Sequence, residues 1–192
     1  MIPPVARRHV AALVLSFSLA GCADPATPVR AEPMPPSYEL VDDLCERLDH
    51  QWMTDLAGTS PRFRYIPSLP EGQDHRRCFA TVFSKEQRTL IQVQIDTSTP
   101  ADGQATLPGS AQPVAGLGDQ AQIQHGQPVT GPNEHLGGQI TTRIDRIAAV
   151  HSTAKVWVTV TIHAPTAPDE PATRTAMTAY VNQTLTLMTV GQ

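Results

Sequence analysis
Aromatics, cysteine and charge are all scarce in this 192-residue chain, which has 2 Trp, 3 Tyr, 4 Phe, 3 Cys and 17% Asp, Glu, Lys and Arg. Acids outnumber bases 18 to 14, for a formal charge of −4. That balance leaves no basic excess to attract nucleic acid, and no polybasic run for anionic lipid. No apolar run approaches the ~20 residues that a membrane-spanning helix needs. No Gly-x-Ser-x-Gly elbow marks a nucleophile. No Cys-x-x-Cys, and no pair of histidines four residues apart, marks a redox or zinc site. The paired acids at 42–43 and 169–170 fall at expected helix starts, where they complement the helix dipole. These absences argue against an enzyme, and neither a cofactor nor a resident metal is expected.

What is present begins with an address. Arg7 and Arg8 precede a short apolar segment, 10–19, which ends in Leu19, Ala20, Gly21 and Cys22. The pattern resembles a bacterial lipobox, where a signal peptide is removed and the cysteine becomes an acylated first residue. The expectation is a cleaved signal peptide over 1–21 and acyl chains, palmitate among them, on Cys22. The mature protein would then be lipid-anchored on the extracytoplasmic face of the cell membrane. The arginine pair also raises twin-arginine export, but the residues around it do not otherwise fit. Prolines 25, 28, 33, 35 and 36 follow. They prevent helix over 22–36 and predict a solvated tether holding the body on the order of 20 Å from the membrane.

Residues 37–192 read as a single domain. Ser37 is a plausible N-cap for a helix carrying Leu40, Val41, Leu44, Cys45, Leu48, Trp52 and Leu56 at helical steps, stopped by Gly58. Strands are expected over 77–84, 89–96, 119–124, 140–150 and 155–163. Residues 85–88 and 151–154 would be hairpin turns, and 97–113 and 126–138 surface loops. Ala176, Met177, Tyr180, Val181, Leu185 and Met188 mark a closing helix over about 169–189. The fold class is α+β: an antiparallel sheet of about five strands with an N-terminal and a C-terminal helix on one face, a two-layer sandwich.

With Cys22 acylated, Cys45 and Cys78 remain in an oxidising compartment, and a disulfide between them would tie the first helix to the first strand. A reactive thiol pair or a metal site are the alternatives. A lipobox, a Pro-rich tether, Leu44-Cys45, Arg77-Cys78, the run Gly116-Leu117-Gly118-Asp119-Gln120-Ala121 and a closing amphipathic helix together resemble one actinobacterial lipoprotein family, labelled domain of unknown function 3558. The resemblance spans most of 37–192, with Phe79 where tryptophan would be expected. It implies an envelope location and an α+β domain, and no activity. The same glycine run also fits a dinucleotide fingerprint, but no apolar strand leads into it and no helix is expected after it, so a tight turn entering a strand is the reading.

Of the six histidines outside the signal segment, His125 and His135, with Glu134, are the candidates for a metal or ligand contact on the 126–138 loop. Trp157, an aromatic among threonines on the minority face of its strand, is the candidate hot spot for a partner. Two functions from different classes follow. One is a non-enzymatic accessory module docking on an envelope protein through the sheet face opposite the helices or through the long loops. The other is a carrier of a lipid or small hydrophobic ligand, with a sheet–helix cavity lined by Met53, Met177, Met188, Phe79 and Phe83.

Overall fold
Ile91, Val93 and Ile95, and again Val156, Val158, Val160 and Ile162, put a branched apolar side chain at every second position. Such a pattern satisfies a strand that buries one face. The computed structural model describes residues 36–59, 61–70, 72–100 and 104–190, except for the side chains of 67–70. The expected signal peptide, Cys22 and most of the tether lie outside the described residues. The elements are α1 (Leu44–Arg47), α2 (Gln51–Ala57), β1 (Arg62–Pro70), β2 (His75–Ser84), β3 (Thr89–Ser98), β4 (Gln112–Pro113), β5 (Gln120–Gln124), β6 (Val129–Pro132), β7 (Gln139–His151), β8 (Ala154–Ala164) and α3 (Glu170–Met188).

The class is α+β, and the sheet is antiparallel throughout, but it has eight strands where five were expected. Its order is β1-β2-β3-β8-β7-β5-β4, with β6 also on β7. The three unexpected strands lack the usual signals. β1 contains two prolines and alternates arginine with aromatics, β4 has two residues, and β6 lies in a Gly/Pro stretch read as loop. The hairpin turns fall at 85–88 and at 152–153.

The N-terminal helix is also a correction, because it breaks in two. In a continuous helix the amide of Asp49 would bond the carbonyl of Cys45. Here His50 Nε2 takes that carbonyl at 3.0 Å, and the Asp49 amide donates to Gln183 Oε1 at 3.0 Å. Leu48 is extended (ψ 137°), and Asp43, not Ser37, stands at the N-cap of α1. By contrast α3 starts as read, with Asp169 Oδ1 accepting from the Ala172 amide at 2.7 Å.

Met53, Met177, Tyr180, Val181 and Met188 from the helices share one core with Cys78, Ala80, Val82, Ile91, Val93, Ile95, Val158 and Ile162 from alternate strand positions. Each fully buried valine, isoleucine or methionine contributes roughly 1.5–3 kcal/mol. Cys45 and Cys78, 1% and 0% exposed, form a disulfide that joins α1 to β2. Gly118 (φ +65°) sits in the turn into β5, where a Cβ would lie 2.6 Å from the Val150 carbonyl oxygen. That turn is followed by a strand and not a helix, which disposes of the dinucleotide pattern.

Two stability effects are expected. The double variant Cys45→Ser/Cys78→Ser should lose about 3–4 kcal/mol in denaturant unfolding, because the bridge closes a 33-residue separation; unchanged stability would mean that the core alone fixes α1. The second concerns pH. Burial lowers the pKa of His50 below its ordinary 6.5, and burial lowers that of His163 too. The unfolded chain therefore takes up protons that the folded one resists. Stability should be full above about pH 6.5 and fall as pH drops below it, with a shallower fall in His50→Gln, as measured by thermal unfolding across that range.

Candidate functional site
Three strands bring six side chains to one end of the sheet face that points away from the core. His75 and Arg77 come from β2, Asp96 and Ser98 from β3, and Lys155 and Trp157 from β8. The register sets them in two rows, His75–Ser98–Lys155 and Arg77–Asp96–Trp157, and the two-residue period keeps all six on one side. They line a cavity of about 270 Å³.

Asp96 is the hub. Its Oδ1 accepts from Arg77 Nε at 2.6 Å and His75 Nε2 at 3.3 Å, and its Oδ2 accepts from Gln94 Nε2 at 2.7 Å. Because a carboxylate only accepts, this contact places the His75 ring hydrogen on Nε2. Both oxygens are engaged and the side chain is 14% exposed, so Asp96 positions its neighbours.

Trp157 lies on this face, as the alternation predicts, but it is not an isolated exposed ring. Its Nε1 donates to Thr159 Oγ1 at 3.1 Å, and its ring packs against a small buried cluster of Ala105, Leu107 and Ala148. The 104–111 strap that supplies Ala105 and Leu107 is held by two bonds. The Leu107 amide donates to Gln122 Oε1 at 3.0 Å, and Gln124 Nε2 donates to the Pro108 carbonyl at 2.8 Å. Expected as a bare loop, the strap instead covers part of the open face.

The charge on this face runs against that of the whole chain. Arg62 and Arg64 stand opposite Phe83 and Thr81, Arg146 opposite Thr159, and Arg77 and Lys155 line the cavity. Against these five cations the described strand positions of the face carry one carboxylate, Asp96. Four arginines and a lysine scattered over four strands are invisible in a net charge of −4, and the register gathers them.

The other candidates separate. His125, 14% exposed at its side chain, lies with Nδ1 3.3 Å from Asp145 Oδ1, whereas His135 and Glu134 are exposed. No group of three metal-capable side chains occurs among the described residues. Asp145 is fully buried, accepts from Arg143 Nε at 3.0 Å and from the Gly126 amide at 3.1 Å, and so anchors the jog between β5 and β6. Arg143 Nη2 reaches Thr173 Oγ1 of α3 at 2.7 Å, which makes Arg143 and Asp145 a bridge from sheet to helix, while the buried His125 Nδ1 beside them makes no hydrogen bond among the described residues. Met53, Met177 and Met188 are core residues, while Phe79 and Phe83 lie on the opposite face, so these five line no common cavity.

Sequence reasoning found Trp157 but missed His75, Arg77, Asp96 and Lys155. β2 and β3 each show a polar pair two residues apart, yet only the β3–β8 register, between segments distant in sequence, sets these beside Lys155 and Trp157. Compared with known proteins, the chain matches no family model, no curated protein and no solved structure.

Trp157→Ala should loosen the strap without unfolding the domain. We expect a stability loss below the ~3–5 kcal/mol of a core aromatic, and faster amide exchange confined to 104–111 and the adjoining β7–β8 end. A loss spread evenly over all strands would make Trp157 a core residue.

Proposed function
We propose that this protein is a non-enzymatic interaction module that docks an acidic protein surface across the open face of its sheet. The reading takes the three helices as one layer against the other face. It keeps the lipobox expectation of a lipoprotein anchored through Cys22 outside the cytoplasmic membrane, where the partner is an envelope protein. It also keeps the likeness to the actinobacterial lipoprotein family.

One observation carries the reading: among the described strand positions, five cations and one carboxylate occupy one face of a chain whose net charge is −4. Segregation of this kind steers encounter and rejects like-charged surfaces. Arg62 and Arg64 are exposed, and Phe79, Phe83 and Trp157 lie between the cations as half-buried aromatic ground. Arginine beside aromatic surface is the composition that interface centres favour.

The test is photocrosslinking in intact source cells from positions 64 and 81 on the open face and 182 on the exposed side of α3. One acidic protein should crosslink from 64 and 81 and not from 182. The Arg62→Glu/Arg64→Glu variant should lose it, while Lys85→Glu, in the β2–β3 turn, should keep it. Crosslinks from 182 alone, or to lipid or nucleic acid in place of protein, would overturn the reading.

A further inference from the structure
The edges of the sheet are finished differently. At one end β4 is two residues long and contains Pro113, and β6, on the outside of β7, is four residues long and holds Gly131 and Pro132. Proline gives no amide to a neighbouring strand and a short edge offers few groups, so both are poor templates for a further strand. At the other end β1 runs over nine residues and pairs on one side alone, with β2. That pairing is regular from Arg62 to Ile66 and shifts register between Ile66 and Leu69. Among the described residues no backbone group outside β2 bonds to 62–66, so alternate amides and carbonyls of that stretch face outward unpaired.

We infer that β1 takes up an extended segment of the acidic partner as an added strand, with acidic side chains beside Arg62 and Arg64 and apolar ones beside Phe63 and Tyr65. The inference deepens the docking reading and rests on it, since it names how the partner's chain is held.

The side chains of β1 alternate in chemistry as well as in direction. Arg62, Arg64 and Ile66 stand opposite Phe83, Thr81 and Phe79 on the open face, while Phe63 and Tyr65 stand opposite Val82 and Ala80 on the helix side. Arg62 and Arg64 are exposed, and among the described residues neither side chain is engaged in a hydrogen bond or ion pair. Tyr65 and Ile66, 42% and 51% exposed, hold apolar surface in solvent at the same edge. Beside them Arg64, Tyr65, Ile66, Phe79 and Thr81 line a mostly apolar groove of about 340 Å³, open to a side chain of the incoming segment. In strand addition the main chain supplies affinity, and alternate side chains supply the choice of partner.

Charge decides the occupant. A second copy fits badly, because antiparallel registers centred on residues 62–64 set arginine across from arginine, and like charges so placed destabilise a pair. The segment ahead of the domain fits badly too, since prolines 25, 28, 33, 35 and 36 interrupt any ladder. An acidic strand suits the same two arginines that keep copies apart, so one device serves both attraction and rejection.

The probe is the heptapeptide acetyl-Glu-Val-Glu-Phe-Glu-Val-Glu-amide, with lysine in place of glutamate as the charge control. Two further forms carry N-methyl groups, one on the glutamates and the other on the valines and phenylalanine. Each removes the amides along one edge of the extended peptide and leaves the opposite edge intact. Binding is followed in the ¹⁵N-labelled protein by amide shifts and hydrogen exchange. The glutamate peptide should shift 62–66 saturably and slow exchange at alternate amides of that stretch, the signature of a new ladder. One N-methylated form should bind at least about tenfold more weakly, and the other close to the parent. Arg62→Glu/Arg64→Glu should lose the glutamate peptide and take up the lysine peptide.

Shifts centred on other strands, no new protection in 62–66, or equal binding of the two N-methylated forms would overturn the proposal. Equal binding of the glutamate and lysine peptides would do the same. So would a dimer of the free protein with 62–66 already protected, which would make a second copy the occupant. If the peptide fails while Arg62→Glu/Arg64→Glu still abolishes the crosslink from position 64, the added strand falls and the docking reading stands. Loss of both leaves neither.

Discussion

The pairing of β3 with β8 holds the rest of the molecule together. Each belongs to a local hairpin, β2 with β3 and β7 with β8, which the chain closes through a short turn. Neither hairpin buries its apolar face alone, and a lone hairpin is marginal in water. Nine aligned residue pairs, from Leu90 with His163 to Ser98 with Lys155, join the two into one sheet. That junction sets Val93 and Ile95 beside Val160 and Val158 under α3. It also sets Asp96 beside Trp157 on the other side, so one register aligns both the core and the cavity. A slip by a single residue would turn both sets of side chains over.

The alternation that follows from this pairing sorts charge as well as polarity. On the core side charge is nearly excluded: Arg143 and Asp145 are closed into a bridge to α3, and Arg76 at the sheet end pairs with Asp42. On the other side, arginine and lysine recur among threonine, glutamine and a few aromatics. The acids are concentrated in the helical region and the turns, as in Asp42, Asp43, Glu46, Asp49 and Asp55. An overall charge near neutrality thus conceals a molecule with a basic face.

What could be read from the sequence was local. The two hairpins, the closing helix with its Asp169 cap, and the Cys45–Cys78 bridge follow from period-two and 3.6-residue patterns and from cysteine chemistry. β1 escaped notice because Pro67 and Pro70 argue against strand, and an edge position tolerates them. The break between α1 and α2 escaped it because the apolar spacing continues through the region, while a side chain, His50, takes the carbonyl that the helix would use. Of the site, Trp157 was legible as an oddity within one strand. His75, Arg77, Asp96 and Lys155 were not, because what makes them a site is a pairing between segments about sixty residues apart.

The two ends of the domain are tied to one another by backbone pairing and by a Tyr38–Thr189 side-chain hydrogen bond. Tyr38 bridges Thr189, the Glu39 amide bonds the Met188 carbonyl at 2.9 Å, and the Val190 amide bonds the Ser37 carbonyl at 3.0 Å. Mechanically this makes the entry strand a clasp. A pull on the chain ahead of residue 36 loads the end of α3 first. It then reaches Cys45, where the covalent bond to Cys78 passes it to the second strand of the sheet. Tension on the N-terminal side therefore peels the segment ahead of α1 from the end of α3 before it reaches the strand pairings, which it enters through Cys78 of β2.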